Sequence, residues 1–181
     1  TQFNVPLIFD EVQTGFCESG TKWYWEQTGG TPDIVIFGKK TQLSGIMVQK
    51  KFSQIFDQAV RLEVTWDADI IDMLRCNFII RAYKENNVLQ NVVERGKQLV
   101  DGLADPTVFS NVRSVGLLVA FDLDDAKLRD QFVSKLQTNG MLCSPALDKT
   151  IRLRPYPLVN SAEIEEAIFL LNKTASDLAF A

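Results

Sequence analysis

The chain has 181 residues, 46% apolar and 23% charged, with a formal net charge of -4 and no histidine. That length suits one domain or one large and one small, and twelve Phe and three Trp supply core anchors, which excludes general disorder. The acidic balance argues against a nucleic-acid surface, and the missing imidazoles exclude His-based triads and His-ligated metals, leaving proton transfer to Lys, Asp, Glu, Tyr or Cys.

In chain order, "VPLIFD" (Val5 to Asp10) is a short continuous apolar run ending at an acid, the pattern of a strand buried on both faces of a parallel sheet. The chain enters this run almost at once, without a starting Met, and is expected to be the back portion of something larger. "SGTKWYWEQTGGTP" (Ser19 to Pro32) predicts a helical turn around Trp23 to Gln27 and then a Gly-Gly break, a crossover of the length a βαβ unit needs. "DIVIFG" (Asp33 to Gly38) repeats the buried-strand pattern, and Ile46 to Gln49 is a third predicted strand. Apolar residues at helical spacing predict two helices within Asp69 to Leu103, meeting near Asn86 and Asn87. Beyond them "VRSVGLLVAFDL" predicts one strand, Asp125 to Asn139 a helix, and "MLCS" and "TIRLRP" short strands. Asn160 with Glu163 forms a capping arrangement that opens a final helix, whose apolar stripe is Ile164, Ala167, Ile168 and Leu171.

No run approaches the ~20 apolar residues of a membrane span, and the first residues lack the order of a secretory signal, so a soluble chain is expected. Cys17, Cys76 and Cys143 make neither a CxxC metal pair nor an even disulfide framework. They imply a reducing compartment, with the cytoplasm as the expectation, and thiols that pack rather than react.

In an open parallel sheet, ligands sit beyond the carboxyl ends of the strands, where Asp10 and Lys39 are both found. If the two strands are parallel neighbours, a carboxylate and an ammonium face one crevice; otherwise Asp10 is a turn residue and Lys39 and Lys40 are solvated loop charges. Glu11 and Gln13 share a face if the extended chain persists past Asp10. Thr65 in "RLEVTW" is either a hydroxyl donor to a ligand or a β-prone residue beside Trp66 in a turn. Arg152 and Arg154 share one face of a predicted strand while Ile151 and Leu153 share the other. The arginines are either a carboxylate clamp or surface charges on an edge strand.

"LIFDEVQTG", followed about thirty residues on by "PDIVIFGKKTQ", resembles the paired signature of the class III aminotransferases, pyridoxal-phosphate enzymes of fold type I. "FGKKTQLSGIM", "RLEVTW" and "TIRLRP" resemble segments of the lysine ε-aminotransferase branch, and the likeness runs from Pro6 to about Leu178, the latter part of such an enzyme. The resemblance implies an α/β fold. Residues 1–68 would be the later part of the cofactor-binding large domain with its mostly parallel sheet, 69–108 a helical connector and 109–181 an α+β small domain.

The resemblance also implies roles. Lys39 matches the lysine that bonds the cofactor aldehyde, six residues beyond Asp33 as in the family, with Lys40 as runner-up. Its ammonium must give up a proton before it attacks, which a cationic neighbour and partial burial both favour. Asp10 matches the partner of the pyridinium nitrogen, Gln13 a residue near the phenolic oxygen, and Thr65 a contact to the cofactor phosphate of the partner subunit. Arg152 matches the arginine that binds the α-carboxylate of the amino acid or of 2-oxoglutarate, and no metal is implied. The Arg113 to Gly116 turn, with Ser114 in place of a family Gly, keeps a structural role. One departure is Asp67-Ala68-Asp69 where the family has Gly-Gly-Asn, since carboxylates near a phosphate are unfavourable unless they point away.

The implied activity is transfer of the terminal amino group of L-lysine to 2-oxoglutarate by a homodimer with shared sites. The alternatives are another ω-aminotransferase acting on ornithine or 4-aminobutyrate, and a non-catalytic remnant that only dimerises. Because the family's phosphate-binding loop lies in an upstream half outside this likeness, these residues alone are expected to be inactive, with an exposed sheet edge that invites association.

Overall fold

The computed structural model describes residues 5–103 and 107–179, so residues 104–106 of the predicted connector lie outside the described residues. The chain divides into two compact units, Thr1–Cys17 with Thr21–Asn87, and Glu18–Gly20 with Val88–Ala181.

In the first unit, β1 (Ile8–Asp10) pairs in parallel with β2 (Ile34–Phe37), and Asp10 lies opposite Ile36. β3 (Gly45–Val48) adds to β2 antiparallel, with Phe37 opposite Gly45. The apolar runs form strands because branched and aromatic side chains pack well on a pleated surface. The start of the β1–β2 pair is fastened by Asp33, whose carboxylate accepts the Leu7 N–H at 2.8 Å and pairs with the Lys51 ammonium. The Lys51 hydrogen bond, then the Leu7 N–H, hold the Asp33 carboxyl below its ordinary range. The crossover contains the predicted turn as a short 3-10 helix, Tyr24–Gln27. It frames a small core of Phe16, Trp23 and Val35, with Trp25, Phe37 and Tyr83 against it and the Phe16 and Trp23 rings 4.8 Å apart. α1 (Ile70–Glu85) closes this unit. Its apolar residues do not form one buried stripe, and Ile70, Ile71, Met73, Leu74 and Phe78 are all exposed.

The second unit begins with α2 (Val88–Gly102), separated from α1 at the predicted Asn86-Asn87 break. A four-stranded antiparallel sheet follows in the order β4-β5-β7-β6, built from β4 (Ser110–Val115), β5 (Leu118–Asp122), β6 (Ser144–Ala146) and β7 (Thr150–Leu153). α3 (Ala126–Thr138) and α4 (Ser161–Ala179) complete it. Phe109, Phe121 and Phe132 meet edge to face in its core, their centroids 4.9 to 6.3 Å apart. α4 opens on the predicted capping box. Asn160 Oδ1 accepts the Glu163 N–H at 3.0 Å and Glu163 Oε2 accepts the Asn160 N–H at 2.8 Å.

Two sequence readings need correction. "VRSVGLLVAFDL" is a hairpin, not one strand: Gly116 turns the chain at φ 59° and β4 and β5 fold back on each other. The apolar run continues through the turn, so polarity gives no sign of it. The strand expected at "MLCS" lies further on, at Ser144–Ala146. Arg113 is structural, as expected: its guanidinium reaches Asp122 Oδ1 at 3.1 Å and the Thr150 hydroxyl at 3.3 Å. Asp122 is lowered from its ordinary range by the Thr150 hydroxyl first, then by Asn111 and Arg113, against the opposing effect of burial.

Candidate active site

The parallel pairing sets the geometry. β1 and β2 run side by side and end together, so Asp10 at the end of one and Lys39, two residues past the end of the other, emerge at the same sheet edge. Asp10 is exposed, and its Oδ1 accepts the Val12 N–H at 3.0 Å, which closes the turn without using the second oxygen in that bond. Lys39 is exposed too and adopts φ 60°, a left-handed conformation that a side chain enters at some cost and that recurs at functional sites. The Gln42 N–H bonds to the Lys39 carbonyl at 2.9 Å, so the residue heads a tight turn.

Lys40 behaves differently. It is half-buried, and its ammonium donates to the Gln13 carbonyl, tying the loop after β2 to the loop after β1. The adjacent lysines are therefore not equivalent: one projects outward and the other fastens two loops.

The expectation that Glu11 and Gln13 share an extended face is corrected. The strand ends at Asp10 and residues 12–18 turn, while the Glu11 side chain goes inward and is only 1% exposed. Its Oε1 accepts the Trp25 N–H at 2.8 Å and its Oε2 accepts the Tyr24 N–H at 3.1 Å and the Thr14 hydroxyl. The backbone of Glu11 is held as well, donating to the Ile36 carbonyl at 2.8 Å and accepting the Gly15 N–H at 2.9 Å. Gly15 lies beneath Trp23, where a Cβ would stand 2.6 Å from the indole ring. This role of Glu11 is not legible in the sequence, because its two N–H partners lie 13 and 14 residues away and no local spacing announces them.

Thr65 lies in an exposed turn beside Trp66, which is 81% exposed. The two carboxylates after it point into local bonds. Asp69 caps α1, accepting the Ile71 N–H at 2.7 Å and the Asp72 N–H at 3.2 Å, and Asp67 Oδ1 accepts the Ala68 N–H at 3.0 Å. The Thr65 loop borders an open cavity of about 590 Å³ whose lining includes Val12, Phe37, Ile46, Arg61 and Glu63, but not Asp10 or Lys39. Arg152 belongs to the second unit. On β7 it is exposed together with Arg154, while Ile151 and Leu153 are 0% and 2% exposed, the alternation the sequence predicts. The thiols pack: Cys76 is buried, burial raises Cys17, and burial pushes Cys143 up to about 11.

Comparison with known proteins supplies what the geometry alone lacks. The family model for class III aminotransferases matches residues 1–174. The L-lysine-epsilon aminotransferase of Mycobacterium tuberculosis is 37% identical over 176 residues, covering 92% of this chain and 39% of the relative. The 4-aminobutyrate aminotransferase of Dictyostelium discoideum is 31% identical over 182 residues, covering 96% of this chain and 36% of the relative. Among solved structures, a lysine aminotransferase from M. tuberculosis in its internal aldimine form superposes with a TM-score of 0.88 at 35% identity, covering 96% of this chain and 42% of that one. The chain thus spans about two-fifths of the length of the relatives it matches. Agreement of family, sequence and backbone along nearly all of its residues makes this chain a member of the class III aminotransferases, a family dependent on pyridoxal phosphate.

Proposed function

We propose that these residues form part of the active site of an aminotransferase that moves the terminal amino group of L-lysine to 2-oxoglutarate. The observation that carries this reading is the shared edge of β1 and β2, where a carboxylate and an amine follow neighbouring strands that run in the same direction. Those two groups fit the cofactor's chemistry: an acid suits a ring nitrogen that holds a proton, and a primary amine suits an aldehyde. Lysine is favoured as donor because lysine aminotransferases match at 32% to 37% identity and the 4-aminobutyrate relative at 31%.

Bound pyridoxal phosphate would supply an aldehyde on an electron-withdrawing ring. Lys39 Nζ would hold that aldehyde covalently and, once released, carry a proton at the reacting carbon. Asp10 would keep the ring nitrogen protonated, and Gln13 would donate from its amide near the phenolic oxygen. Arg152 would clamp the α-carboxylate of the amino acid or of 2-oxoglutarate through two parallel hydrogen bonds. Thr65 would reach the phosphate held by a second copy; the exposed Trp66, Ile70, Ile71 and Phe78 around it support a homodimer. Asp67 and Asp69 oppose that contact less than their charge suggests, because each carboxylate is engaged with nearby backbone N–H groups.

In this reading residues 1–68 belong to the cofactor domain, 69–108 connect, and 109–181 form the small domain. The chain spans about two-fifths of the length of its relatives, and the activity proposed is that of the protein that carries these residues. Among the described residues no helix is long and apolar enough to cross a membrane. The three cysteines are free, as suits a reducing compartment such as the cytoplasm.

Borohydride reduction after incubation with pyridoxal phosphate, followed by peptide mass spectrometry, tests the site. The adduct is expected on Lys39; an adduct on Lys40, or an even spread over surface lysines, contradicts the assignment. Lysine is expected to outrun ornithine and 4-aminobutyrate as donor in the protein that carries these residues, and a reversed order replaces the donor.

A further inference from the structure

Glu11 is the least exposed of the buried carboxylates among the described residues, and the proposed chemistry has no use for it. Its partners are a hydroxyl and two backbone N–H groups, all neutral, and its carboxylate is 1% exposed. Taking a carboxylate out of water is costly unless it is well bonded. A short 3-10 helix could be capped more simply by its own N-cap residue, yet Trp23 at that position makes no side-chain cap bond. The cap comes instead from the residue next to Asp10.

We propose that Glu11 is a positioning residue: by gripping the Tyr24 and Trp25 N–H groups and the Thr14 hydroxyl, it fixes the direction of the Asp10 carboxylate. Successive side chains of an extended strand leave on opposite faces. With Glu11 locked inward, Asp10 is turned outward, and the exposed Asp10 and buried Glu11 show this alternation at the strand's last step. The backbone has little room to rotate around that step, because the Glu11 N–H is bonded to the carbonyl of Ile36, the residue opposite Asp10. The side chain thus holds the far side of the loop while the backbone holds the near side.

Glutamine in place of Glu11 has nearly the same shape but sets an NH2 group against donors. One of the oxygens that receive N–H groups becomes a donor itself, and the grip fails on at least one side. Asp10 would then be held only through its own Oδ1 bond to the Val12 N–H and would lose the support of the loop beneath it, without changing its own chemistry.

This inference rests on the reading of Asp10 as the partner of a ring nitrogen, and its test separates the two. Pyridoxal phosphate labelled with 15N in the ring is attached by borohydride reduction, and the ring-nitrogen resonance is followed against pH. A nearby carboxylate favours the protonated nitrogen and raises its pKa, so turning that carboxylate away lowers the pKa by about 1–3 units. Glu11→Gln is expected to lower it by that much, as Asp10→Asn does, while mass spectrometry still finds the adduct on Lys39. A ring-nitrogen pKa in Glu11→Gln equal to that of the parent overturns the role of Glu11, and a purely structural role would not move it in a folded chain. Thr14→Val removes one donor and leaves the carboxylate in place. It is expected to give a smaller shift in the same direction, and it decides the matter should Glu11→Gln fail to fold. A parent protein, the full one that carries these residues, with no adduct on Lys39, or in which Asp10→Asn leaves the ring-nitrogen pKa unchanged, overturns the functional reading itself and the role of Glu11 with it.

Discussion

Asp10→Asn is expected to slow transamination by about 10²–10³-fold, the loss typical when one electrostatic partner of a reacting centre is removed. The substitution isolates charge from shape. Asparagine keeps an oxygen where Asp10 Oδ1 accepts the Val12 N–H, so the turn after β1 persists. Asp10 is also exposed, and surface changes of this kind move stability by about 0.5 kcal/mol or less. For a chain of this size that is about 2 °C or less in melting temperature. Activity and stability should therefore separate, with kcat falling and the thermal transition unmoved. The measurements are initial rates with lysine and 2-oxoglutarate and a melting curve on the same preparations of the protein carrying these residues. An undiminished kcat would remove Asp10 from the ring nitrogen; a large loss of both quantities would make it a structural residue.

How much of this was legible beforehand depended on whether the relevant contacts were local. The β1–β2 pair could be read because strands buried on both faces leave continuous apolar runs, and their ends then locate Asp10 and Lys39 without further information. The Asn160–Glu163 capping box and the break between α1 and α2 were legible because their partners are neighbours in the chain. The hairpin at Gly116 was not, since its turn lies inside an unbroken apolar stretch. Glu11 was missed for a different reason: its carboxylate serves N–H groups brought to it only by the crossover. The family spacing favours Lys39 over Lys40, but the physical difference between them, the reach of Lys40 to a carbonyl on the neighbouring loop, has no sign in the local sequence. The helical spacing of the α1 apolar residues predicts the helix but not their burial, and Ile70, Ile71, Met73, Leu74 and Phe78 are exposed.

The second large effect concerns the unit that presents Arg152. Gly96→Ala is expected to destabilise the fold by about 2 kcal/mol or more, although alanine is the better helix former by about 1 kcal/mol. Gly96 lies within α2, directly against the β4–β5 turn: an added Cβ would stand 2.2 Å from the Gly116 oxygen and 2.7 Å from its carbonyl carbon. Both are backbone atoms, so no side-chain rotation relieves the clash. The turn cannot retreat either, since the Leu117 N–H is bonded to the Glu18 carbonyl at 3.1 Å and Gly116 lies so close to the 18–20 backbone that a Cβ on it would stand 2.4 to 2.6 Å from those backbone atoms. Helix, turn and loop are stacked at backbone contact, and a single methyl group must push one of them off its neighbour. The expected fall in melting temperature is about 4–8 °C. Because β5 pairs with β7, a displaced hairpin would also shift Arg152, opposite Ala120; if Arg152 has the proposed clamping role, KM for the carboxylate substrates rises along with the loss of stability. An unchanged or raised melting temperature would mean that helix propensity outweighs the contact and that α2 and the hairpin are not in fact packed so closely.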